Sequence, residues 1–363
     1  MKNFLAFIFT LLLCSSYAQS GDVKTEIKRI ILHDTELSLS DTPGFIIGII
    51  DQDSTYIVDF GSSIKGEEVS IQPEDIYEVG SITKVFTTAL VSILVEEGII
   101  NYDDKINSFL PIELQNPRMD EVTILNLIHH TSGFPVRPYF FGRKESDPQN
   151  PYAYYSKEDF LAFYTQFIPE NIGEFNYSHT NYGFLEILLE QATKKPFDRL
   201  MQEYIFDPLG LDDSFVFFKE TKNEIVSPGY DRAGRSADPW TFASFGASEG
   251  VRTNLNNLLR FVKMHMGLIE HPYADILKQN TNADIQTNFN DFIYSGKGWQ
   301  IIKQKKNYDI ITHNGKTSGH HGFIAFVKET KTGVVILSNS SIGTMNLGYL
   351  ILRMINFNWK RKS

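Results

Sequence analysis

Apolar residues along this chain fall into two kinds of pattern. Short, nearly continuous runs stand near the start, as GFIIGII (Gly44 to Ile50) and STYIVDFG (Ser54 to Gly61), and again after Phe292, as GWQIIKQ, DIITHNG, GFIAFVKE and GVVILSNS. Runs of this length, rich in branched residues and bounded by turn residues, predict strands. Asp51-Gln52-Asp53 is the expected turn of a first hairpin. Between the two sets, from Ile82 to about Phe292, apolar positions recur at helical spacing. Thr83 to Glu97 places Val85, Phe86, Ala89, Leu90, Ile93 and Leu94 on one face, and Gly98 stops it. Val23 to Leu37, Gly183 to Thr193, Asn254 to Met266 and the closing NLGYLILRMINF also predict helices. The simplest architecture is α/β of the α+β type. One antiparallel sheet is built from about residues 22–80 and 293–363, flanked by helices, and a mainly helical region of about 81–292 is inserted between its halves.

Phe4 to Leu13 is a further apolar run, too short to span a bilayer, which takes roughly 20 residues. Lys2 precedes it and Ser16-Tyr17-Ala18 follows, so residues 1–18 read as an export leader and 19–363 as one mature domain, periplasmic or secreted. The only cysteine, Cys14, lies in the leader. The mature chain is then expected to hold neither a disulfide nor a thiol nucleophile. A lipoprotein reading of Cys14 is disfavoured by the bulky Leu13 before it. The formal net charge is −10, and loss of Lys2 takes it to about −11. Dispersed acidic charge without a Lys/Arg run argues against a nucleic-acid partner. No later segment has the length of a membrane helix.

Three stretches carry candidate chemistry. In YEVGSITKVF, Ser81 stands where a helix begins and Lys84 follows three residues later, on the same face. A serine hydroxyl needs a base beside it, a buried lysine amine can serve, and helix N–H groups can stabilise an oxyanion. Alone, Ser-x-x-Lys equally fits a capping serine and a solvated lysine. The strongly apolar helix after Ser81, however, makes a lysine in its first turn an odd choice for packing. In FNYSHTNYGFLEILLE, Tyr177 and His179 precede an apolar helix; packing and capping roles fit them as well as proton transfer does. In DIITHNGKTSGHHGF, His313 and Gly315 share a strand face, glycine admits a ligand close to the backbone, and the N–H of Lys316 follows. His313, His320 and His321 lack the spacing of a zinc site.

Together the three stretches resemble the serine β-lactamase and penicillin-binding-protein superfamily, in its class C-related branch. That branch has Ser-x-x-Lys, then Tyr-x-Asn, then Lys-Thr-Gly or His-x-Gly. Here they stand in order as Ser81-Ile82-Thr83-Lys84, Tyr177-Ser178-His179 and His313-Asn314-Gly315. LIHHTSGFP (Leu127 to Pro135) and EGVRTNLNNLLRF (Glu249 to Phe261) add to the likeness, which covers nearly the whole mature chain. The resemblance implies a β-lactamase/transpeptidase-like fold and an acyl-enzyme mechanism without cofactor or metal. Ser81 would be the nucleophile, Lys84 its activator and relay, and Tyr177 a general base and then acid. The N–H groups of Ser81 and Lys316 would form the oxyanion hole. His179 would stand in place of the asparagine that binds the substrate amide, and His313 in place of a lysine or histidine that meets the tyrosine or substrate.

A neutral imidazole grips a carboxylate less firmly than an ammonium. The expected activity is therefore hydrolysis of an amide or ester, β-lactamase-like. D-alanyl-D-alanine carboxypeptidase, D-amino-acid peptidase and small-ester esterase remain as alternatives, as does a catalytically silent protein that grips a cell-wall peptide. The partner is a small molecule or peptide. The Pro135–Pro151 loop and His320-His321 are expected at the mouth of the pocket. A literal Lys331-Thr332-Gly333 also occurs, inside ETKTG between two apolar strands. It reads as a hairpin loop at a sheet end rather than as chemistry.

Overall fold

The computed structural model describes residues 23–37, 42–139, 141, 147–216, 226–304 and 308–357. The expected leader lies outside them. A first helix, α1 (residues 23–34), is followed by the hairpin β1 (Gly44–Asp51) and β2 (Ser54–Gly61). Its two-residue turn puts Gln52 at φ +58°. Six more strands come late in the chain: β3 (Ile285–Gln286), β4 (Ile293–Ser295), β5 (Gln300–Ile302), β6 (Ile310–Lys316), β7 (His321–Val327) and β8 (Thr332–Ser338). All eight join one antiparallel sheet in the order β2-β1-β8-β7-β6-β5-β4-β3. The two ends of the chain meet where β1 pairs β8, Phe45 facing Ser338 and Asp51 facing Thr332.

Both faces of this sheet are covered, which is why its strands read as unbroken apolar runs. Side chains alternate in direction along β1. Phe45, Ile47 and Ile49 enter the core on one side, and Ile46 and Ile50 the larger core on the other. The first side is closed by α1 and by the closing helix α5 (Met345–Phe357), which lies over β7 and β8. The second carries the inserted region. Its buried axis is α2 (Thr83–Glu96), every residue of which from Thr83 to Leu94 is buried.

Two further helices position the site. α3 (His179–Thr193) begins four residues before the apolar pattern suggests, because Ser178 caps it by accepting the Asn181 N–H. α4 (Leu255–His265) is capped by Asn254 in the same way and lies across β1 and β8. The inserted region is not purely helical. Tyr77–Glu78, Val251–Thr253 and Phe215–Val216 form a small antiparallel sheet that ties the segment before Ser81 to the one after Gly250. No helix among the described residues is long and apolar enough to cross a membrane.

Candidate active site

Ser81 lies on a 3-10 turn, Gly80–Ile82, that leads into α2. The turn has no side-chain cap, so its leading N–H groups are not taken up by a neighbouring hydroxyl or carboxylate. Lys84 is fully buried, and its Nζ stands 3.1 Å from Ser81 Oγ. The expected pairing of hydroxyl and amine is therefore present.

The end of β6 is pressed against this turn. A Cβ built on Gly315 would lie 2.6 Å from Ser81 N and 2.9 Å from Ile82 N. One on Gly80, whose φ is +50°, would lie 2.5 Å from Lys316 N. Any side chain at either position would drive the sheet and the helix apart. Two glycines thus let the backbones of Ser81 and Lys316 run side by side at the rim of a cleft of about 890 Å³.

A carboxylate that no motif marks completes the cluster. Glu249 sits in a short buried turn, Gly246–Glu249. Ser81 Oγ donates to it at 2.8 and 3.0 Å, Lys84 Nζ at 2.7 Å, and His179 Nδ1 meets it at 2.6 Å. The turn is anchored to α2 and α3. Thr87 donates to the Ala247 carbonyl at 2.7 Å, Thr83 accepts the Val251 N–H at 3.0 Å, and the Glu186 carboxylate accepts the Ala247 N–H at 3.0 Å. Burial alone would push the Glu249 carboxyl up. The Lys84 ammonium and His179, with the hydrogen bonds they give, outweigh burial and hold it well below the usual carboxylate range. One signal for it lies in the sequence: in SFGASEGV this glutamate is the only charged residue, and a buried carboxylate needs a partner.

His179 lines the cleft, and its Nδ1 faces Glu249 and, at 3.3 Å, Lys84. A 2.6 Å contact with a carboxylate puts the proton on Nδ1. Burial, with Lys84 beside it, lowers the imidazole despite Glu249, so it is neutral near pH 7. Tyr177 also lines the cleft, but Lys84 lies over its ring, 5.5 Å from the centre, and not on its hydroxyl. The ring is held by His130, with centroids 4.5 Å apart, and His130 Nδ1 accepts the Ser178 N–H at 3.1 Å. That places the LIHHTSGFP stretch directly behind Tyr177.

His313 is buried at the cleft wall and donates from Nδ1 to the Asn314 carbonyl at 2.8 Å. Burial, with Lys84 nearby, lowers it to about 4, so it too is neutral. Lys316 is exposed at the strand end, lowered by partial burial and by Arg232. The expectation for His320 and His321 needs correcting, since neither reaches the cleft. His320 is fully buried between Glu78 and the Ser227 carbonyl, and His321 bonds Thr344. Adjacent strand-end residues point to opposite faces, and here both faces are core. Of the Pro135–Pro151 loop, Arg137, Pro148 and Gln149 do line the cleft; residues 140 and 142–146 lie outside the described ones. No group of three or more His, Cys, Asp and Glu among the described residues is arranged to hold a metal ion.

The literal Lys331-Thr332-Gly333 is remote from all this, though it is not wholly a loop. Lys331 is the turn residue, exposed and at φ +55°, but Thr332 and Gly333 already belong to β8, pairing with Val327 and Phe326. Gly315 faces Gly322, which faces Leu337. The triplet is thus displaced toward the opposite end of the strands, roughly 17 Å at 3.3 Å per residue.

The β-lactamase family model matches residues 34–353. Among relatives, a protein named Beta-lactamase from Pseudomonas fluorescens is 23% identical over 352 residues, covering 87% of this chain and 94% of its own. One of the same name from Providencia stuartii is 20% identical over 372 residues, covering 94% and 92%. Protein flp of Staphylococcus aureus (strain N315) is 24% identical over 338 residues, covering 88% of this chain and 64% of its own. With the family model spanning both strand sets and the inserted region, the antiparallel sheet flanked by helices is a β-lactamase/transpeptidase fold, and the chain belongs to the β-lactamase family.

Proposed function

We propose that this protein is an exported serine hydrolase that cleaves an amide or ester through an acyl-enzyme on Ser81. The observation that carries the proposal is the Ser81–Lys84–Glu249 cluster beside the Lys316 backbone, opening into the cleft. Glu249, held so low, is a poor proton store. It orients the Ser81 O–H and takes its proton in passing as Oγ attacks the carbonyl carbon, and that proton returns through cleft water to Tyr177 once the tyrosine has protonated the leaving group. The Tyr177 hydroxyl gives a proton to the departing amine or alkoxide. The N–H groups of Ser81 and Lys316 face the carbonyl oxygen, where negative charge grows.

The substrate reading follows from His313. A lysine at this place would offer a permanent positive charge to a carboxylate. A neutral imidazole lowered to about 4, its one N–H given to the Asn314 carbonyl, offers only an acceptor at Nε2, which suits a substrate N–H or O–H and not a carboxylate. This favours small esters and peptide amides, including D-amino-acid amides, over β-lactams as the better substrates. Export is proposed from the leader pattern of residues 1–18.

The test is a panel of p-nitrophenyl esters, a D-Ala-D-Ala peptide and nitrocefin, run beside Ser81→Ala, with mass spectrometry after a fluorophosphonate probe. Covalent labelling of Ser81, turnover of at least one substrate, and loss of both in Ser81→Ala are expected. A folded protein whose Ser81 stays unlabelled would sink the reading.

A further inference from the structure

The Ser81 reading leaves open which group draws a proton from the water that must clear the acyl group. Two observations bear on this. Glu249 fixes the imidazole of His179 through Nδ1 at 2.6 Å, so the lone pair is left on Nε2. No protein group among the described residues bonds Nε2, and His179 lines the cleft that holds Ser81. Its two neighbours in the cluster do not compete for the role. Lys84 is a donor to Ser81, Glu249 and the Ser248 carbonyl, and Glu249 already accepts from Ser81, Lys84 and His179. A neutral imidazole, held by a buried carboxylate on one nitrogen and open to the cleft on the other, is arranged to activate water.

We infer that His179 is the general base of deacylation and Glu249 its positioning residue. This rests on the acyl-enzyme reading above. A water oxygen forms a bond to the acyl carbonyl carbon while its proton passes to His179 Nε2. The tetrahedral intermediate, its oxyanion against the Ser81 and Lys316 N–H groups, then breaks the bond between carbon and Ser81 Oγ. Oγ, held by the Lys84 ammonium 3.1 Å away, takes the Nε2 proton of the imidazolium through water in the cleft, while Nδ1 keeps its proton toward Glu249. Acid leaves, and Ser81 and His179 return to their starting charges. The place occupied by His179 is then a second proton-transfer centre, separate from Tyr177, which serves the leaving group in acylation.

The experiment is stopped-flow hydrolysis of p-nitrophenyl butyrate, which separates a p-nitrophenolate burst (acylation) from the steady state (deacylation). It is coupled to intact-mass spectrometry of the quenched enzyme. In His179→Asn the burst rate should stay within about fivefold of wild type, while the steady state falls roughly 100-fold and acyl-enzyme accumulates toward one equivalent. Glu249→Gln should give the same direction with a smaller deacylation loss, roughly tenfold beyond any change in its burst. His179→Gln is the second variant if His179→Asn does not fold, folding being checked by circular dichroism and by fluorophosphonate labelling of Ser81. Burst and steady state falling in parallel, or no accumulation of acyl-enzyme, would overturn the role of His179 while leaving Ser81 chemistry intact. If wild-type Ser81 never becomes acylated, both readings fall together.

Discussion

Two buried glutamates sit on either side of the Ser81 turn, each with a similar set of partners. Glu249 has a lysine (Lys84), a histidine (His179) and a hydroxyl (Ser81). Glu78 has an arginine (Arg252, 3.2 Å), a histidine (His320, 3.3 Å) and a hydroxyl (Thr317, 2.8 Å). They differ in what is left over. Around Glu78 both ring nitrogens of His320 are engaged, one by the carboxylate and one by the Ser227 carbonyl, and the cluster is sealed. Around Glu249 the serine and histidine are only partly buried and open into the cleft. The same kit makes a brace where its side chains are shut away from solvent. It makes a reactive centre where one lone pair and one hydroxyl face solvent.

Paired substitutions test that distinction most strongly. Glu78→Gln removes the charge that balances the fully buried Arg252, and urea unfolding should show a loss of roughly 3–5 kcal/mol. Glu249→Gln should cost less stability, because water from the cleft can reach two of its partners, Ser81 and His179, yet it should impair turnover more per unit of stability lost. Equal stability losses with equal activity losses would erase the difference between brace and centre.

Acid comes next in size. His265, His313 and His321 are each lowered by burial from 6.5 to about 4. In the folded protein they stay neutral where the unfolded chain binds protons. Their contribution is therefore fully present above pH 6.5 and is lost as pH falls toward 4, by roughly 3 kcal/mol per histidine. Glu186, which burial pushes up to about 7, acts in the opposite sense over much of that window, but it is one group against three. Thermal melts at pH 7, 6 and 5 should show a steadily falling midpoint; a rise on acidification would mean that these imidazoles are charged in the folded state.

The fold was legible in sequence because its two periods are clean. Continuous apolar runs marked strands buried on both faces, and α2 and α4 ended within a residue or two of Gly98 and Met266. Ser81 and Lys84 were legible because their contact is local. Glu249 was not, since it meets Lys84 across 165 residues of sequence, and only folding brings Gly246–Glu249 beneath α2. His320 and His321 misled because closeness in sequence to His313 and Gly315 says nothing about which side of a turn reaches the cleft. The order of motifs could not reveal that Lys84 approaches the face of Tyr177 and not its hydroxyl.

Smaller effects mark the edges of the open cluster. His313→Ala should lower kcat/KM for the preferred ester roughly tenfold, about 1.4 kcal/mol, by removing a neutral imidazole from the cleft wall. An unchanged kcat/KM would detach His313 from the site. Lys331→Ala lies toward the far end of the sheet and should leave kcat/KM within about twofold of wild type. A loss comparable to that of His313→Ala would move the functional triplet there.

The pairing of β1 with β8 also has a consequence for how the protein is made. Phe45 waits for Ser338, so the first hairpin emerges from the ribosome nearly 300 residues before the strand that completes its sheet. Until then one long, apolar strand edge is unsatisfied, and unpaired edges of that kind template aggregation. Contacts so distant in sequence also slow folding. The glycines that fix Ser81 against Lys316 act only after β6 has docked, so nucleophile and oxyanion site come into register late, and truncated or half-made chains should carry no activity.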